Sequence, residues 1–296
     1  MEVTGAHHRP LLADADAERS LTRDGYVVLR LLSAVAVQRL LDELSGWVPD
    51  FPDGFYASVH APDAGLRATV SAHLLATFRP LLASACREER LLGGAFINKA
   101  PGPRGALPPH QDWNIVDERH HRSFNVWVPL VGTHAENGAI QVLPGSHRWL
   151  PTVRGPNIPC VYRELHEELR ALMTILPMLP GDVLIYDHRL LHCSAANLGA
   201  APRPGAVMGL VPAEAELKHY FAEGDQVRRY HSDVQFLLSG QTHLPPARLC
   251  PEVLFDHDTT ALGGEQLKRI RAASCAPPHH DPRAQDQMNR RKERAP

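Results

Sequence analysis

The hydrophobic pattern of the chain changes near residue 90. Before that point apolar residues recur at the spacing of a helix face, and residues 14–30 are predicted to form a helix followed by a strand. A second helix is predicted to begin after Ser33, a favoured capping residue, and to end at Gly46. A loop rich in Pro, Gly and Asp, 47–65, then leads to a third predicted helix at 66–88. The N-terminal part is therefore expected to be mainly helical.

After residue 90, short apolar runs alternate with Gly, Pro, Asn and Asp, which is typical of strands joined by turns. One short helix is predicted at 163–173. Many short strands with such turns form sandwiches or barrels, and an antiparallel jelly roll is the usual way to close one of this size. The fold class is therefore predicted to be mainly β with flanking helices. The predicted strands are 91–99, 124–131, 139–143, 176–179, 183–186 and 207–211.

The composition is that of an ordinary globular enzyme: 296 residues, 44% hydrophobic and 22% charged. A formal net charge of −2 argues against nucleic acid as the main partner. The N-terminus lacks the apolar region of a signal peptide, and no apolar stretch reaches the roughly 18 residues that a membrane span needs. The five cysteines include no Cys-x-x-Cys pair, which suits reduced thiols. We therefore expect a cytoplasmic protein without a membrane partner, either a monomer or a homodimer.

A His-x-Asp sequence supplies the candidate chemistry. His110 and Asp112 follow a Pro/Gly-rich loop, and in extended backbone two residues that are two apart project to the same side. They can therefore present an imidazole nitrogen and a carboxylate oxygen to one metal ion. A third candidate, His192, lies in a later strand-like run. Two histidines and one carboxylate, with the opposite coordination positions open, form the ligand set of non-haem Fe(II) oxygenases.

A series of short motifs in fixed order resembles the phytanoyl-CoA dioxygenase family of Fe(II)- and 2-oxoglutarate-dependent oxygenases. The resemblance covers roughly residues 91 to 211 and implies a double-stranded β-helix, a cupin-like jelly roll with helices packed outside it. It also implies the cofactors Fe(II), 2-oxoglutarate and O2. The motifs lie at 97–101, 110–113, 127–130, 137–147, 181–182 and 192–203.

The resemblance implies roles for individual residues. His110, Asp112 and His192 match the metal ligands, and Arg203 matches the arginine that binds the far carboxylate of 2-oxoglutarate. A planar guanidinium can hold a carboxylate through two charge-assisted hydrogen bonds, which lysine cannot reproduce. Ser194 shares the face of His192 by strand alternation, so its hydroxyl is expected to assist the same carboxylate.

Three further residues are expected near the site. Trp127 matches a family position that lines the cosubstrate pocket. Trp113 and Asn114 directly follow the first ligands in the chain, so both are candidates for contact with substrate. Trp113 is equally compatible with a place in the core.

The chain is expected to hold one catalytic domain with appendages. Residues 1–90 form an N-terminal helical support region, and 91–213 form the double-stranded β-helix that carries the catalytic residues. Residues 214–275 form a C-terminal flanking or lid segment, with a lid or flanking helix expected at 214–240. Residues 276–296 are rich in Pro and charge and are expected to be a disordered tail.

These observations lead to the hypothesis of a dioxygenase that hydroxylates, or otherwise oxidises, an unactivated C–H bond of a small-molecule metabolite and releases succinate and CO2. A related halogenase would carry a small residue in place of the carboxylate, so Asp112 argues against halogenation. A divalent-metal hydrolase or isomerase on the same fold remains an alternative, as does a non-catalytic metal- or ligand-binding protein. Arg203 at the cosubstrate position argues against the hydrolase or isomerase, and the intact set of ligands argues against a protein without turnover.

Overall fold

The computed structural model describes residues 8–48 and 51–275. This part of the chain begins with two helices and one strand. The side chains of Asp14 and Ser33 accept hydrogen bonds from backbone amides in the first turns, so both helices begin at side-chain caps. The second helix continues through Gly46, one residue beyond its predicted end. The three elements are α1 (Ala15–Asp24), β1 (Tyr26–Arg30) and α2 (Ala34–Trp47).

Most of the remaining chain consists of strands, as the short apolar runs predict. Two single turns of 3-10 helix occur at Ser58–His60 and Ser146–Arg148. The remaining elements, in chain order, are β2 (Phe55–Ala57), α3 (Ala64–Ala85), β3 (Glu89–Lys99), β4 (Leu107–His110), β5 (Phe124–Pro129), β6 (Ile140–Val142), α4 (His166–Arg170), β7 (Thr174–Ile175), β8 (Asp182–Asp187), β9 (His192–Ser194), β10 (Arg203–Pro212), β11 (Lys218–Glu223), β12 (Gln226–His231), α5 (Val234–Leu237), β13 (Pro251–Asp256) and α6 (Gly264–Cys275).

The strands form two large antiparallel sheets and a smaller third one. The first sheet has six strands in the order β1-β8-β5-β10-β3-β2, and the second has four in the order β4-β9-β6-β7. Apolar side chains from both sheets pack in one cluster, including Ile97, Trp127 and Leu184 from the first and Ile140 and Val142 from the second. The two sheets therefore face each other as a jelly roll, and the predicted fold class is confirmed.

The outer face of the six-stranded sheet packs against the N-terminal helices. Along β5, Phe124, Val126 and Val128 point to this side and join Leu40 of α2 and Phe78 of α3 in the largest apolar cluster. Trp127 points to the opposite side, into the space between the two sheets. Strand alternation thus separates a structural core from an inner face that is available for chemistry.

The flanking helix expected at 214–240 is wrong for most of the segment, since 12 of its 27 residues lie in strands and four in a helix. The expectation of a lid there stays a prediction. Strands β11, β12 and β13 form the third sheet, and only the short helix α5 is helical. Glu223 pairs with Gln226, so Gly224 and Asp225 form a two-residue hairpin loop. Gly224 has a φ of +63°, which glycine adopts without steric cost. The Gly-Asp pair is the local signal for this hairpin.

Two further predictions differ from the structure. The strand expected at 176–179 is not formed: β7 ends just before it, and Met178 makes an isolated bridge, because Pro177 and Pro180 have no amide hydrogen for a strand ladder. The loop expected at 47–65 contains β2, which pairs with β3 at the edge of the six-stranded sheet.

The predicted N-terminal support region contributes strands as well as helices to the fold. β1 pairs with β8 and β2 pairs with β3, so both edges of the six-stranded sheet come from this region. The predicted tail at 276–296 lies outside the described residues. Among the helices of residues 8–48 and 51–275, none has the length and apolarity to span a membrane.

We predict that Gly25→Ala lowers the free energy of unfolding more than Gly224→Ala does. Both glycines have positive φ, +84° and +63°, so alanine should cost about 1–2 kcal/mol at either position. A Cβ at Gly25 would also lie 2.5 Å from Nδ1 of the buried His147, whereas one at Gly224 would meet no atom within 4 Å. Overpacking should therefore add about 1–3 kcal/mol at Gly25. Urea unfolding of both variants measures the difference. Equal losses of unfolding free energy would contradict the predicted clash between the new Cβ and His147.

Candidate metal centre

The first two candidate ligands lie where β4 ends. His110 is the last residue of β4, and Asp112 follows it on the same side of the extended chain. The intervening Gln111 is buried and points away. Its amide nitrogen donates to the Arg189 carbonyl at 2.5 Å, and its amide oxygen accepts from the Thr152 hydroxyl at 3.2 Å. These anchors of Gln111 leave His110 and Asp112 directed together to the inside.

Strand pairing brings the third candidate to the same place. His192 begins β9 and lies directly opposite His110, with the two ring centres 4.3 Å apart. His110, Asp112 and His192 each offer one ligand atom, and these atoms all lie within 4.8 Å of one another. The fold thus assembles the three residues that sequence reasoning selected.

The backbone fixes the tautomers of both histidines. Nδ1 of His110 lies 2.7 Å from the Pro108 carbonyl, and Nδ1 of His192 lies 3.0 Å from the Leu190 carbonyl. Since a carbonyl can only accept, each Nδ1 carries the hydrogen and each Nε2 keeps its lone pair for an ion. Burial lowers the pKa of His192 to about 4, so its ring is neutral at neutral pH. The donor set therefore fits a divalent metal ion.

Asp112 is held through its backbone and its side chain. Its amide donates to the His188 carbonyl at 2.9 Å, and its carbonyl accepts from Nε of Arg154 at 2.6 Å. Its carboxylate accepts from Nδ2 of Asn125 at 2.8 Å. Burial opposes ionisation, but the neighbouring imidazoles, His192 first, and the Asn125 amide outweigh it, so the pKa of Asp112 is lowered. The carboxylate is thus ready to bind a cation.

Arg203 lies at the start of β10 and is 3% exposed. Its Nε is buried without a hydrogen-bond partner among the described residues. The guanidinium carbon lies 5.4 Å from the centre of the Trp127 ring. Burial lowers the pKa of Arg203 to about 10, which still leaves it charged at neutral pH. A buried cation of this kind favours an anionic ligand, because burial of an unpaired charge is costly.

A second buried cation, which sequence reasoning left without a role, lies beside Arg203. Lys99 is fully buried at the end of β3 and pairs with Arg203 across the sheet. Its Nζ donates to the Ser194 hydroxyl at 2.6 Å and to the Ala195 carbonyl at 2.5 Å. Burial, and then the charge of Arg203, lower the pKa of Lys99 to about 7. Ser194 is two residues after His192, so its hydroxyl connects this cationic pair to the metal-ligand candidates.

The two residues that follow Asp112 differ in their surroundings. Trp113 is 41% exposed, whereas Asn114 is 6% exposed. The Asn114 amide oxygen accepts from the Arg154 backbone amide at 2.6 Å, so this side chain holds the loop after Asp112. Contact of Trp113 and Asn114 with substrate stays a prediction, and Trp113 has the more accessible surface. Sequence reasoning also missed Asn125 and Arg154, since neither has a local signal that links it to Asp112.

Comparisons with known proteins agree with this geometry. The family model described as phytanoyl-CoA dioxygenase matches residues 21–205. A phytanoyl-CoA dioxygenase domain-containing protein 1 from Danio rerio is 29% identical over 43% of this chain and 48% of its own length. An iron/alpha-ketoglutarate-dependent dioxygenase, penM, from Penicillium thymicola is 30% identical over 36% of this chain and 33% of its own length. The chain thus spans between a third and a half of these relatives.

Two solved structures resemble the fold of this chain. The alpha-ketoglutarate-dependent carbocyclase SnoK from nogalamycin biosynthesis has a TM-score of 0.53 and 18% identity, covering 83% of this chain and 94% of its own. The epimerase SnoN in complex with Fe3+, alpha ketoglutarate and nogalamycin RO has a TM-score of 0.50 and 22% identity, covering 69% of this chain and 86% of its own. At these identities the likeness supports the fold.

We predict that His110→Ala, Asp112→Ala and His192→Ala each abolish metal binding while the fold is retained. The native protein should bind one equivalent of Co(II) in anaerobic calorimetry. Each variant should lose more than about 100-fold in affinity, since loss of an outer partner alone costs about 10- to 100-fold. Far-UV circular dichroism checks the fold. The exposed His134 provides the control His134→Ala, which should bind normally. Undiminished binding by Asp112→Ala would refute the ligand assignment.

Proposed function

Because the chain belongs to the phytanoyl-CoA dioxygenase family, we propose that it is an Fe(II)- and 2-oxoglutarate-dependent dioxygenase. It would hydroxylate, or otherwise oxidise, an unactivated C–H bond of a small-molecule metabolite. The observation that carries the proposal is the buried Arg203, whose Nε has no hydrogen-bond partner among the described residues, next to Lys99. Lys99 in turn donates to Ser194, two residues from His192 in the cluster of two histidines and one aspartate.

His110, Asp112 and His192 would hold Fe(II) on one side, which leaves the opposite positions for small ligands. The two Nε2 lone pairs and one carboxylate suit Fe(II) in a 2-His-1-carboxylate site. The carbonyl partners of each Nδ1 orient the rings and raise their basicity as ligands.

Arg203 would bind the far carboxylate of 2-oxoglutarate through two parallel hydrogen bonds. Lys99, with a pKa of about 7, adds a second positive charge in its protonated form, and the Ser194 hydroxyl that it contacts can donate to the same carboxylate. The Trp127 ring lies against the guanidinium and limits its movement. Two buried cations that lack a carboxylate partner among the described residues fit a dianionic cosubstrate better than a neutral one.

When bound, Fe(II), 2-oxoglutarate and O2 supply the oxidising power, and 2-oxoglutarate is converted to succinate and CO2. The protein orients these groups and excludes water. Apolar side chains between the sheets provide the exclusion, among them Ile97, Val142 and Leu184, each at most 5% exposed. Competing reactions with water are suppressed in such a lining.

The alternatives make different demands on the site. A halogenase needs room for chloride where Asp112 stands. A hydrolase or isomerase that uses a divalent ion has no evident use for the buried Arg203, and neither has a simple metal-binding protein. Release of succinate that depends on 2-oxoglutarate distinguishes the dioxygenase from these alternatives.

We predict that Arg203→Ala weakens 2-oxoglutarate binding by roughly 30- to 3,000-fold, which corresponds to about 2–5 kcal/mol at 1.4 kcal/mol per tenfold. Arg203→Lys should recover only part of the affinity, because an ammonium lacks the fork geometry. Co(II) affinity should barely change, since Arg203 does not belong to the metal-ligand cluster. Separate titrations of Co(II) and 2-oxoglutarate at matched ionic strength measure both effects.

A stability measurement gives the control for this variant. Arg122 donates to the buried Asp187 at 2.9 Å, so Arg122→Leu should destabilise the protein strongly. Arg203→Leu should lower the free energy of unfolding much less in the absence of ligand, because no carboxylate among the described residues pairs with Arg203 and would be left unpaired. Unchanged 2-oxoglutarate binding in Arg203→Ala, or no binding by the native protein, would overturn the dioxygenase proposal.

We predict that the native enzyme transfers oxygen from O2 to its substrate, or desaturates it, and does not chlorinate it in excess chloride. Asp112 occupies the position that chloride would need. Metabolites are first screened by thermal shift with Co(II) and 2-oxoglutarate, since a ligand of the folded state raises the melting temperature. Mass spectrometry with isotopically labelled O2 then identifies the product made with Fe(II), and a chlorinated product would contradict the prediction.

A further inference from the structure

Asn125 faces the space between the two large sheets, next to the metal-ligand cluster. It is the second residue of β5 and lies directly opposite Tyr186 on β8. Trp127, two residues farther along β5, points to the same side. Asn125 therefore lies on the inner face of the six-stranded sheet, with Trp127, and not on the outer face that packs against the N-terminal helices.

The Asn125 side chain binds the carboxylate of Asp112 directly. Its Nδ2 lies 2.8 Å from Oδ2 of Asp112 and 3.2 Å from the hydroxyl of Tyr186. Since an ionised carboxylate only accepts hydrogen bonds, the amide nitrogen must be the group that faces it. The two amide hydrogens can serve the two partners, so Tyr186 helps to hold Asn125 in place.

The other contacts of Asp112 leave one rotation free. The His188 carbonyl and Nε of Arg154 bind the backbone of Asp112, and neither touches its carboxylate. These contacts fix the position of the Cα atom, but the carboxylate can still turn about its own bond. The Asn125 amide donates to this carboxylate at 2.8 Å and restrains its turn, and the Tyr186 hydroxyl, which the same amide contacts, hydrogen-bonds to Asp112 as well.

We propose that Asn125 is a positioning residue that keeps Asp112 turned so that one carboxylate oxygen is presented to the metal ion. Carboxylates bind metals through one oxygen or through both. Binding through both would occupy a coordination position that the reaction needs for small ligands. The inference rests on the metal site of the proposed function and adds a residue to it. A neutral amide suits this role, because its N–H group restrains the carboxylate and adds no charge beside the metal ion.

The test is a Co(II) titration of the full chain, with absorption spectra of the bound ion, for the native protein, Asn125→Leu and Tyr186→Phe. Asn125→Leu removes the donor at similar volume. We expect it to weaken Co(II) binding about 10- to 100-fold, the range for outer partners of metal ligands. The visible bands should also change in intensity, because the coordination number changes. Tyr186→Phe should have a smaller effect, since it removes the hydroxyl that contacts Asn125 and Asp112 but leaves the Asn125 amide on the carboxylate.

Two controls separate positioning from general damage. Tyr26→Phe removes a hydroxyl from β1, the strand next to Tyr186, without a contact to Asp112, and should bind Co(II) normally. Urea unfolding without metal shows whether each variant is folded. If Asn125→Leu does not fold, Asn125→Ser provides the test, because its hydroxyl is too short to reach the carboxylate and should give the same loss.

The outcomes distinguish this inference from the proposed function. If the native protein binds no Co(II), the metal site and the proposed function both fail. If the native protein binds it and a folded Asn125→Leu or Asn125→Ser binds it equally well with the same spectrum, only the positioning role is overturned. Weaker binding with an altered spectrum and unchanged Tyr26→Phe would support the role.

Discussion

The site depends on the register between β4 and β9, where His110 lies directly opposite His192. In a strand, a shift of one residue turns every side chain to the other face. Such a slip would direct one histidine away from the other and would move Asp112 with it. The anchors of Gln111 on the Arg189 carbonyl and the Thr152 hydroxyl resist that slip, because they are made from the opposite face of the same segment.

Charge is distributed unevenly across the space between the sheets. Lys99 and Arg203 place two cations side by side on the six-stranded sheet, and among the described residues no carboxylate pairs with either. The lowered pKa values of both groups, caused first by burial, express the cost of this arrangement. A dianionic ligand would relieve it. The free energy that these buried charges cost the ligand-free protein would thus be recovered when an anion binds, and would add to its affinity.

A buried group of ion pairs lies next to the residue that binds the Asp112 backbone. Asp187, at the end of β8, accepts from Arg122 at 2.9 Å and from Arg189 at 2.7 Å. Although burial opposes ionisation, the guanidinium groups, Arg189 first, hold the pKa of Asp187 well below its ordinary value. The next residue, His188, binds the amide of Asp112. The ion pairs therefore hold in place the segment to which the loop that carries Asp112 is hydrogen-bonded.

The third sheet is connected to the same loop. The Lys218 amide donates to the Ile115 carbonyl at 2.9 Å, and Arg229 binds Asp117 at 2.8 Å. Both partners lie within five residues of Asp112. The third sheet is thus attached by hydrogen bonds to the chain segment that follows Asp112.

The sequence by itself determined the local structure and the kind of chemistry, while the tertiary structure decided which residues meet. Caps such as Ser33, the alternation along β5 and the projection of His110 and Asp112 to one side depend on neighbours in the chain, so the sequence reveals them. The role of Asn125 depends on the pairing of β5 with β8, and that of Lys99 on a hydrogen bond between the two large sheets, made with Ser194 95 residues away. No local pattern encodes such a register, because it is set by the packing of two whole sheets.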